Sequence, residues 1–428
     1  MNKNHHFLKA KEKIEKGDLI FSINDDGKTV SIIGNKVTTD EILIPRSIVY
    51  NSKEYVITSI LHWAFQFSEI KTVKFSADSE IITIDRLAFS ESSIESFTIP
   101  PHLKQIKEFA FVFCKQLRSI EIPPNSELET IENDAFSGTA IERFTISPHL
   151  TKISKSIFCN CQNLRTIEIP ENSNLSTIES GAFDGSSIEN LFLPSSLIML
   201  SEGWCCNALQ LTKVIVSTSN PRYSTYSDKM VIGKSDVHQT EYFDVLVFCA
   251  RNIITIEIPS FIKVIGPYAF ERCFKQHSIE IHEDSKLQII DTRAFFGSSI
   301  ESFKIPLHLS KINQYAFSYC QKLRTIEIPL NSKLHTIDKY AFFESSIESF
   351  IITSNLSVIG DSAFSCCKQL KIIEIDEKSP IKYLDRNIFN GCNDLIIMIP
   401  VNLTFLFCRD GNENNFIKNV QKSICNLS

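Results

Sequence analysis

Residues Ser92–Phe136 read SSIESFTIPPHLKQIKEFAFVFCKQLRSIEIPPNSELETIENDAF, and residues Ser298–Phe342 read SSIESFKIPLHLSKINQYAFSYCQKLRTIEIPLNSKLHTIDKYAF. The two stretches align without a gap. Outward from them a phenylalanine, usually after alanine, recurs at Phe65, Phe89, Phe111, Phe136, Phe158 and Phe183, and again at Phe270, Phe295, Phe317, Phe342, Phe364 and Phe389. Spacings of 22 and 25 residues alternate through nearly the whole series, so two unit types form a 47-residue dyad. A fixed period of this kind marks a stacked repeat, in which each unit completes its core only against its neighbours.

Every unit carries an apolar triplet spaced L-x-x-L-x-L, such as Leu117, Ile120 and Ile122, or Ile94, Phe97 and Ile99. That is the strand signature of a leucine-rich repeat. On a short strand the fourth and sixth residues share one face and the third and fifth share the other, so one face is core and the other solvent. A proline follows at Pro100, Pro123, Pro170, Pro306 and Pro329, where a missing amide hydrogen ends strand pairing. A second apolar pair, Leu128 with Ile131 or Leu103 with Ile106, precedes the alanine-phenylalanine turn. The expected fold is mainly β: a right-handed leucine-rich-repeat superhelix of about 13 coils with a parallel concave sheet.

The unit I-x-x-x-A-F-x-x-C-x-x-L-x-x-I-x-I-P resembles the BspA-like leucine-rich-repeat surface antigens of bacteria and protists, and the resemblance covers nearly the whole chain. Two accessories of that family are matched. One is an opening β-hairpin around Asn24-Asp25-Asp26-Gly27-Lys28. The other is an inserted β-hairpin after Asn220-Pro221-Arg222-Tyr223, with Met230–Ile232 and Val245–Phe248 as its strands. The triplets Leu211, Val214, Val216 and Ile253, Ile256, Ile258 carry the repeat through the interruption. The expected layout is a polar segment and cap at 1–55, repeats at 56–217, the inserted hairpin at 218–252, repeats at 253–400 and a cap at 401–428. In that last segment Phe416, Val420 and Ile424 suit a short amphipathic helix.

Length and composition agree with a large folded core: 428 residues, 43% of them hydrophobic. The formal charge of −6 comes from 44 basic and 50 acidic residues without long single-sign blocks, which leaves no footprint for nucleic acid. No apolar run is long enough to span a membrane, and Met1 to Asp18 is polar and lysine-rich, so neither a membrane span nor a cleaved leader is expected.

Thirteen cysteines is a high and odd number. Cys114, Cys161, Cys273, Cys320, Cys367 and Cys392 each fall three residues after a repeat phenylalanine, where other units carry Ser92, Thr139, Ser186, Ser298 and Ser345. This is a column of small, weakly polar residues, read as reduced thiols lining a turn. Most recur every second coil, about 9 to 10 Å apart at the usual strand spacing, beyond the reach of a disulfide or a shared zinc ion. Cys367 and Cys392 stand on adjacent coils, where a bridge is open. His102, His149 and His308 repeat by duplication and are read as solvated positions. Repeated carboxylates share one environment, whereas a catalytic pair needs two. No nucleotide-binding, nucleophile-elbow or metalloprotease motif occurs. No enzyme activity, cofactor or metal is therefore expected.

The strand surface carries more. Glu95, Arg118, Glu142, Arg165 and Glu189 alternate in sign, as do Glu301, Arg324, Glu348 and Lys371, which stacked coils would turn into a charge ladder. The fifth strand position, expected on the concave side, reads Lys74, Thr98, Glu121, Thr145, Glu168, Phe192, Ile215, Glu257, Glu280, Lys304, Glu327, Ile351 and Glu374. Phe192 and Ile215 stand as exposed apolar neighbours where other coils carry threonine or glutamate, just before the insertion with Tyr223 and Tyr226. Clusters of that kind mark contact sites. The expected function is a binding solenoid that holds a protein or polysaccharide on its concave face. The family resemblance implies adhesion at a cell surface or after secretion, whereas the thiols and the absent leader favour a cytoplasmic interaction scaffold. Sequons at Asn174, Asn355, Asn402 and Asn426 offer a glycan test of the route.

Overall fold

The structure is a computed structural model that describes residues 12–236, 242–329, 331–381 and 384–400. It is a parallel β-solenoid with about 16 turns. Helix among the described residues is confined to a 3-10 turn at Arg386–Phe389. The count exceeds 13 because coil strands at both ends fall outside the columns read from sequence: Glu41–Ile44 beside Thr72–Phe75 and Ile396–Met398 beside Ile372–Ile375. Trp204 takes the phenylalanine's place in its coil, edge-on to Phe183 at 6.4 Å. The segment expected to cap the C-terminus, 401–428, lies outside the described residues.

The chain divides into two compact units. One runs as far as Leu211 and includes Val216–Pro221; the other comprises Thr212–Ile215 and the chain from Arg222 onward. The first unit opens with antiparallel strands Lys13–Lys16, Leu19–Ile23 and Thr29–Asn35, the last of which pairs in parallel with Lys53–Ile60. From there two-residue strands at Thr83–Ile84, Gln105–Ile106 and Thr130–Ile131 continue one ladder. A second ladder of the same unit carries the triplets, with Ser119–Glu121 paired in register to Ser96–Thr98.

The second unit repeats this plan. Its opening element has three antiparallel strands, one more than the hairpin read from sequence: Tyr223–Tyr226, Met230–Gly233 and Val245–Cys249. Val245–Cys249 then pairs in parallel with Val264–Ile265, and the ladder runs on through Ile289–Ile290, Lys311–Ile312, Thr336–Ile337 and Val358–Ile359. Each unit thus covers the first edge of its parallel ladder with antiparallel strands, which blocks edge-to-edge pairing.

The core explains the alanine-phenylalanine period. Strands repeat at about 4.8 Å, so one ring per coil stacks on the next: Phe65 on Phe89 at 4.9 Å, Phe89 on Phe111 at 5.0 Å, and Phe295 on Phe317 at 5.0 Å, all within 4° of parallel. Phe97, Phe144, Phe303 and Phe350 meet these stacks edge-on or tilted, the arrangement that ring quadrupoles favour. Alanine precedes the ring because the backbones approach closely there, with Phe89 N donating to Ala110 O at 2.8 Å and Phe317 N to Ala341 O at 2.7 Å.

The turn that presents each ring has left-handed residues two places before and two places after it. Leu87 and Glu91, Phe109 and Phe113, and Tyr315 and Tyr319 all have φ between 56° and 59°. L-residues resist this conformation, and the inter-coil hydrogen bonds hold it. Glycines at these places, Gly138, Gly181, Gly185 and Gly297, are the sequence signal for it.

Candidate partner-binding surface

Where neighbouring coils pair in the second unit, parallel register sets the fifth-position residues side by side: Glu257 with Glu280, Lys304 with Glu327, and Ile351 with Glu374. In the first unit Lys74, Thr98, Glu121, Thr145 and Glu168 are exposed, and in the second Ile215, Glu257, Glu280, Lys304, Glu327, Ile351 and Glu374. Two residues expected at the contact surface stand differently. Phe192 is half-buried between Leu191 and Leu193. Tyr223 is buried, 6% exposed, because its ring lies over Gly233, 3.1 Å from where a Cβ would stand. Tyr226 stays partly exposed, edge-on to Phe261 at 5.7 Å, and Ile215 is 44% exposed. Leu43 belongs to the same column, in register with Lys74 and 60% exposed. Sequence reading missed it because its coil has no alanine-phenylalanine pair.

The two units treat their carboxylates differently. In the first, Thr98 Oγ1 donates to Glu121 at 3.1 Å, Thr145 Oγ1 donates to Glu168 at 2.9 Å, and Arg143 pairs with Glu168 at 3.3 Å. Lys74 pairs with Glu41 at 2.6 Å. In the second, the side chains of Glu257, Glu280, Glu327 and Glu374 have no hydrogen-bond or ion-pair partner among the described residues, and neither does Lys304. Like charges side by side on a sheet are destabilising.

The alternating column beside this face forms ion pairs at selected rungs. Arg165 meets Glu189 at 3.3 Å and Arg324 meets Glu348 at 3.1 Å. His277 extends the column toward Glu301 at 3.2 Å, and Lys371 toward Asp394 at 4.0 Å. All are solvent-exposed, so each contributes at most about 1 kcal/mol.

The cysteine column lies inside the turn. Cys114 Sγ donates to Phe89 O at 3.0 Å, Cys161 to Phe136 O at 3.1 Å, Cys320 to Phe295 O at 3.1 Å and Cys367 to Phe342 O at 2.9 Å. Each of these thiols also meets the hydroxyl of the coil before it: Ser92, Thr139, Ser298 or Ser345. Burial pushes the thiols of Cys114 and Cys161 up to about 11 and those of Cys320 and Cys367 up to about 12. Cys392 instead donates to Phe364 O at 3.1 Å, and it and Cys367 carry separate thiols. Buried Arg251 was not singled out from sequence. It donates to Ala269 O at 3.1 Å with Phe248 under its guanidinium at 5.1 Å.

His102 meets Glu127 at 3.0 Å on the surface. Among the described residues no group of three or more histidines, cysteines or carboxylates is arranged to hold a metal ion, and no helix is long and apolar enough to cross a membrane.

Such a stack of coils defines a leucine-rich-repeat solenoid, and the chain belongs to the BspA type leucine-rich repeat family. The family's six-copy repeat region matches residues 46–164, 82–212, 241–371 and 288–410. Among solved structures it is similar to a leucine-rich cell surface protein of Faecalibacterium prausnitzii, with TM-score 0.64, 19% identity, and 91% of this chain and 94% of that one covered. It is also similar to the pneumococcal vaccine antigen PcpA, with TM-score 0.61, 20% identity, and 91% and 88% covered. A leucine-rich repeat protein of Bacteroides ovatus matches with TM-score 0.58, 20% identity, and 91% and 95% covered. At such identities the likeness is one of fold. No curated protein matches the chain closely enough to count as a relative.

Proposed function

We propose that this protein is a non-catalytic binding solenoid of the cell surface that holds a partner on the strand face of its second unit, as an adhesin or surface antigen does. The observation that carries the reading is the column Glu257, Glu280, Glu327 and Glu374, exposed and without partners in its own chain among the described residues. Glu257 and Glu280 stand side by side in register and repel each other, and a basic partner protein would offset that cost while gaining rate and specificity from the field of the column. Ile351, exposed and in register with Glu374, adds apolar contact area to the same column. The surface location rests on the family and on the names of two structural neighbours, a cell surface protein and a vaccine antigen. A scaffold inside the cell is the second reading, favoured by eleven described cysteines without a disulfide.

Binding of the full chain to cultured epithelial cells tests the first reading. Glu257→Gln, Glu280→Gln, Glu327→Gln and Glu374→Gln together are expected to weaken binding roughly tenfold or more at low salt. Phe192→Ser with Ile215→Thr tests the apolar positions separately. A well-folded quadruple variant that binds like the parent would place the contact surface elsewhere. Localisation of the untagged protein, with the glycan state of Asn174 and Asn355, separates surface from scaffold.

A further inference from the structure

A cleft of about 680 Å³ opens at the alanine-phenylalanine turns of the second unit, and it includes none of the fifth-position residues. Three successive coils line it. The first supplies Arg272 and Phe274, the second Phe296 and Gly297, and the third Tyr319 and Lys322. The cause lies in the dyad. Arg272, Gly297 and Tyr319 all stand two places after their repeat phenylalanine, at φ of 51°, 64° and 59°, so at this one position the middle coil contributes no side chain between two that do.

The same gap exists at Gly138 and Gly185 but is filled. At Gly138 the ring of Phe113 lies where a Cβ would stand, and at Gly185 the Asn160 Oδ1 comes within 2.8 Å of that point. At Gly297 the nearest atom is Arg272 Cγ at 3.5 Å, and the space stays open. Its volume falls within the roughly 300 to 1,000 Å³ of small-ligand sites.

The lining specifies the ligand's chemistry. Arg272 and Lys322 bring two cations, no carboxylate lines the cleft, and neither cation is ion-paired among the described residues. Arg272 Nε has no hydrogen-bond partner among them either, while its guanidinium lies 6.0 Å from the Phe296 ring. Phe274 is 48% exposed and Tyr319 37%, so ring surface faces solvent from both flanking coils. Ser299 and Gln321 add a hydroxyl and an amide. A ligand that satisfies all of these has an apolar C–H face for the rings, a rim of hydroxyls, and a carboxylate for the arginine fork. A peptide of acidic residues alone would supply the charge but neither a ring face nor a rim of hydroxyls.

The geometry points to a binding site for an acidic saccharide, of the uronic or sialic acid class, at this cleft. The site is separate from the strand-face column and stands or falls independently of it. Saturation-transfer NMR on the full chain, with aromatic protons irradiated, tests it with glucuronic acid, digalacturonic acid and N-acetylneuraminic acid as probes and glucose as control. The acids are expected to receive saturation and glucose not, with the effect reduced by added salt. Phe274→Ser and Lys322→Gln change exposed side chains, and each is expected to weaken acid binding about tenfold; Arg272→Gln should abolish it. The quadruple glutamine variant of the strand face should bind the sugars as the parent does. Equal binding by Phe274→Ser and Lys322→Gln, or glucose matching the acids, would overturn the assignment. So would hexaglutamate occupying the cleft where no sugar binds.

Discussion

Gln276→Leu is expected to stabilise the second unit. Gln276 is 0% exposed, and neither its Nε2 nor its Oε1 has a hydrogen-bond partner among the described residues. Its backbone shows which position it fills: Gln276 N donates to Cys273 O, as Leu117 N does to Cys114 O, Leu164 N to Cys161 O, Leu323 N to Cys320 O and Leu370 N to Cys367 O. Glutamine therefore occupies the first core position of the strand triplet, which leucine fills in four equivalent coils. On the neighbouring coils Ile253 and Ile300 hold the corresponding places. An unsatisfied buried polar group costs about 1 to 3 kcal/mol, and leucine also returns apolar area to a site already shaped for it. A gain of about 2 kcal/mol should raise the melting midpoint of a 150- to 250-residue unit by roughly 4 to 8 °C. Calorimetry is the direct assay. Trp63 and Trp204 both lie in the first unit, so tryptophan fluorescence gives a separate reading of that part of the chain. An unchanged or lower calorimetric midpoint would refute the reasoning and show that the amide is satisfied, for instance by a buried water.

Arg324→Glu would place like charges on three successive coils, with Glu301 on one side and Glu348 on the other, and should cost up to about 1 kcal/mol at low salt and less at high salt; a midpoint insensitive to both would show that the rungs do not interact. Stability should fall in alkali because the column thiols ionise near 9 when unfolded but only at about 11 to 12 when folded. Their contribution is thus complete below about pH 9 and lost as pH rises through 11 to 12, and replacing Cys114, Cys161, Cys320 and Cys367 by serine should flatten the midpoint between pH 9 and 11. Gly360→Ala should destabilise by about 1 to 3 kcal/mol, since the added Cβ would lie 2.6 Å from the Asp338 carbonyl carbon, which no side-chain rotation can move; an unchanged urea midpoint would argue that these coils can separate freely.

What the sequence displayed was whatever repeats in one column. The phenylalanine period is legible because ring stacking and strand spacing are the same distance, so each coil must supply one ring at one place. The thiol column is legible for a similar reason: a serine or threonine hydroxyl and a cysteine thiol meet in alternate coils, and only small weakly polar groups fit. Coils at the ends, which lack the full set of columns, are hidden, which is why the strand with Leu43 and the strand Ile396–Met398 escaped the count, whereas the coil with Trp204 was legible through its strand triplet alone.

Exposure is harder to read than column membership, because it depends on which neighbour folds over a position. Phe192 shares its column with exposed glutamates yet is half-buried, and Tyr223 is buried because Gly233 leaves a floor for its ring. The glycines two places after the repeat phenylalanine make the point most sharply. Gly138, Gly185 and Gly297 are equivalent in sequence and in backbone, with φ of 70°, 66° and 64°. What differs is the residue two places after the ring on the preceding coil: Phe113, whose ring occupies the gap, Asn160, whose Oδ1 reaches into it, or Arg272, whose guanidinium lies over the Phe296 ring. Only the third leaves room. A repeat protein can thus acquire a site by a substitution one coil away from the opening it creates, and the strand face and the turn cleft can diverge separately while the core stack that positions both stays fixed.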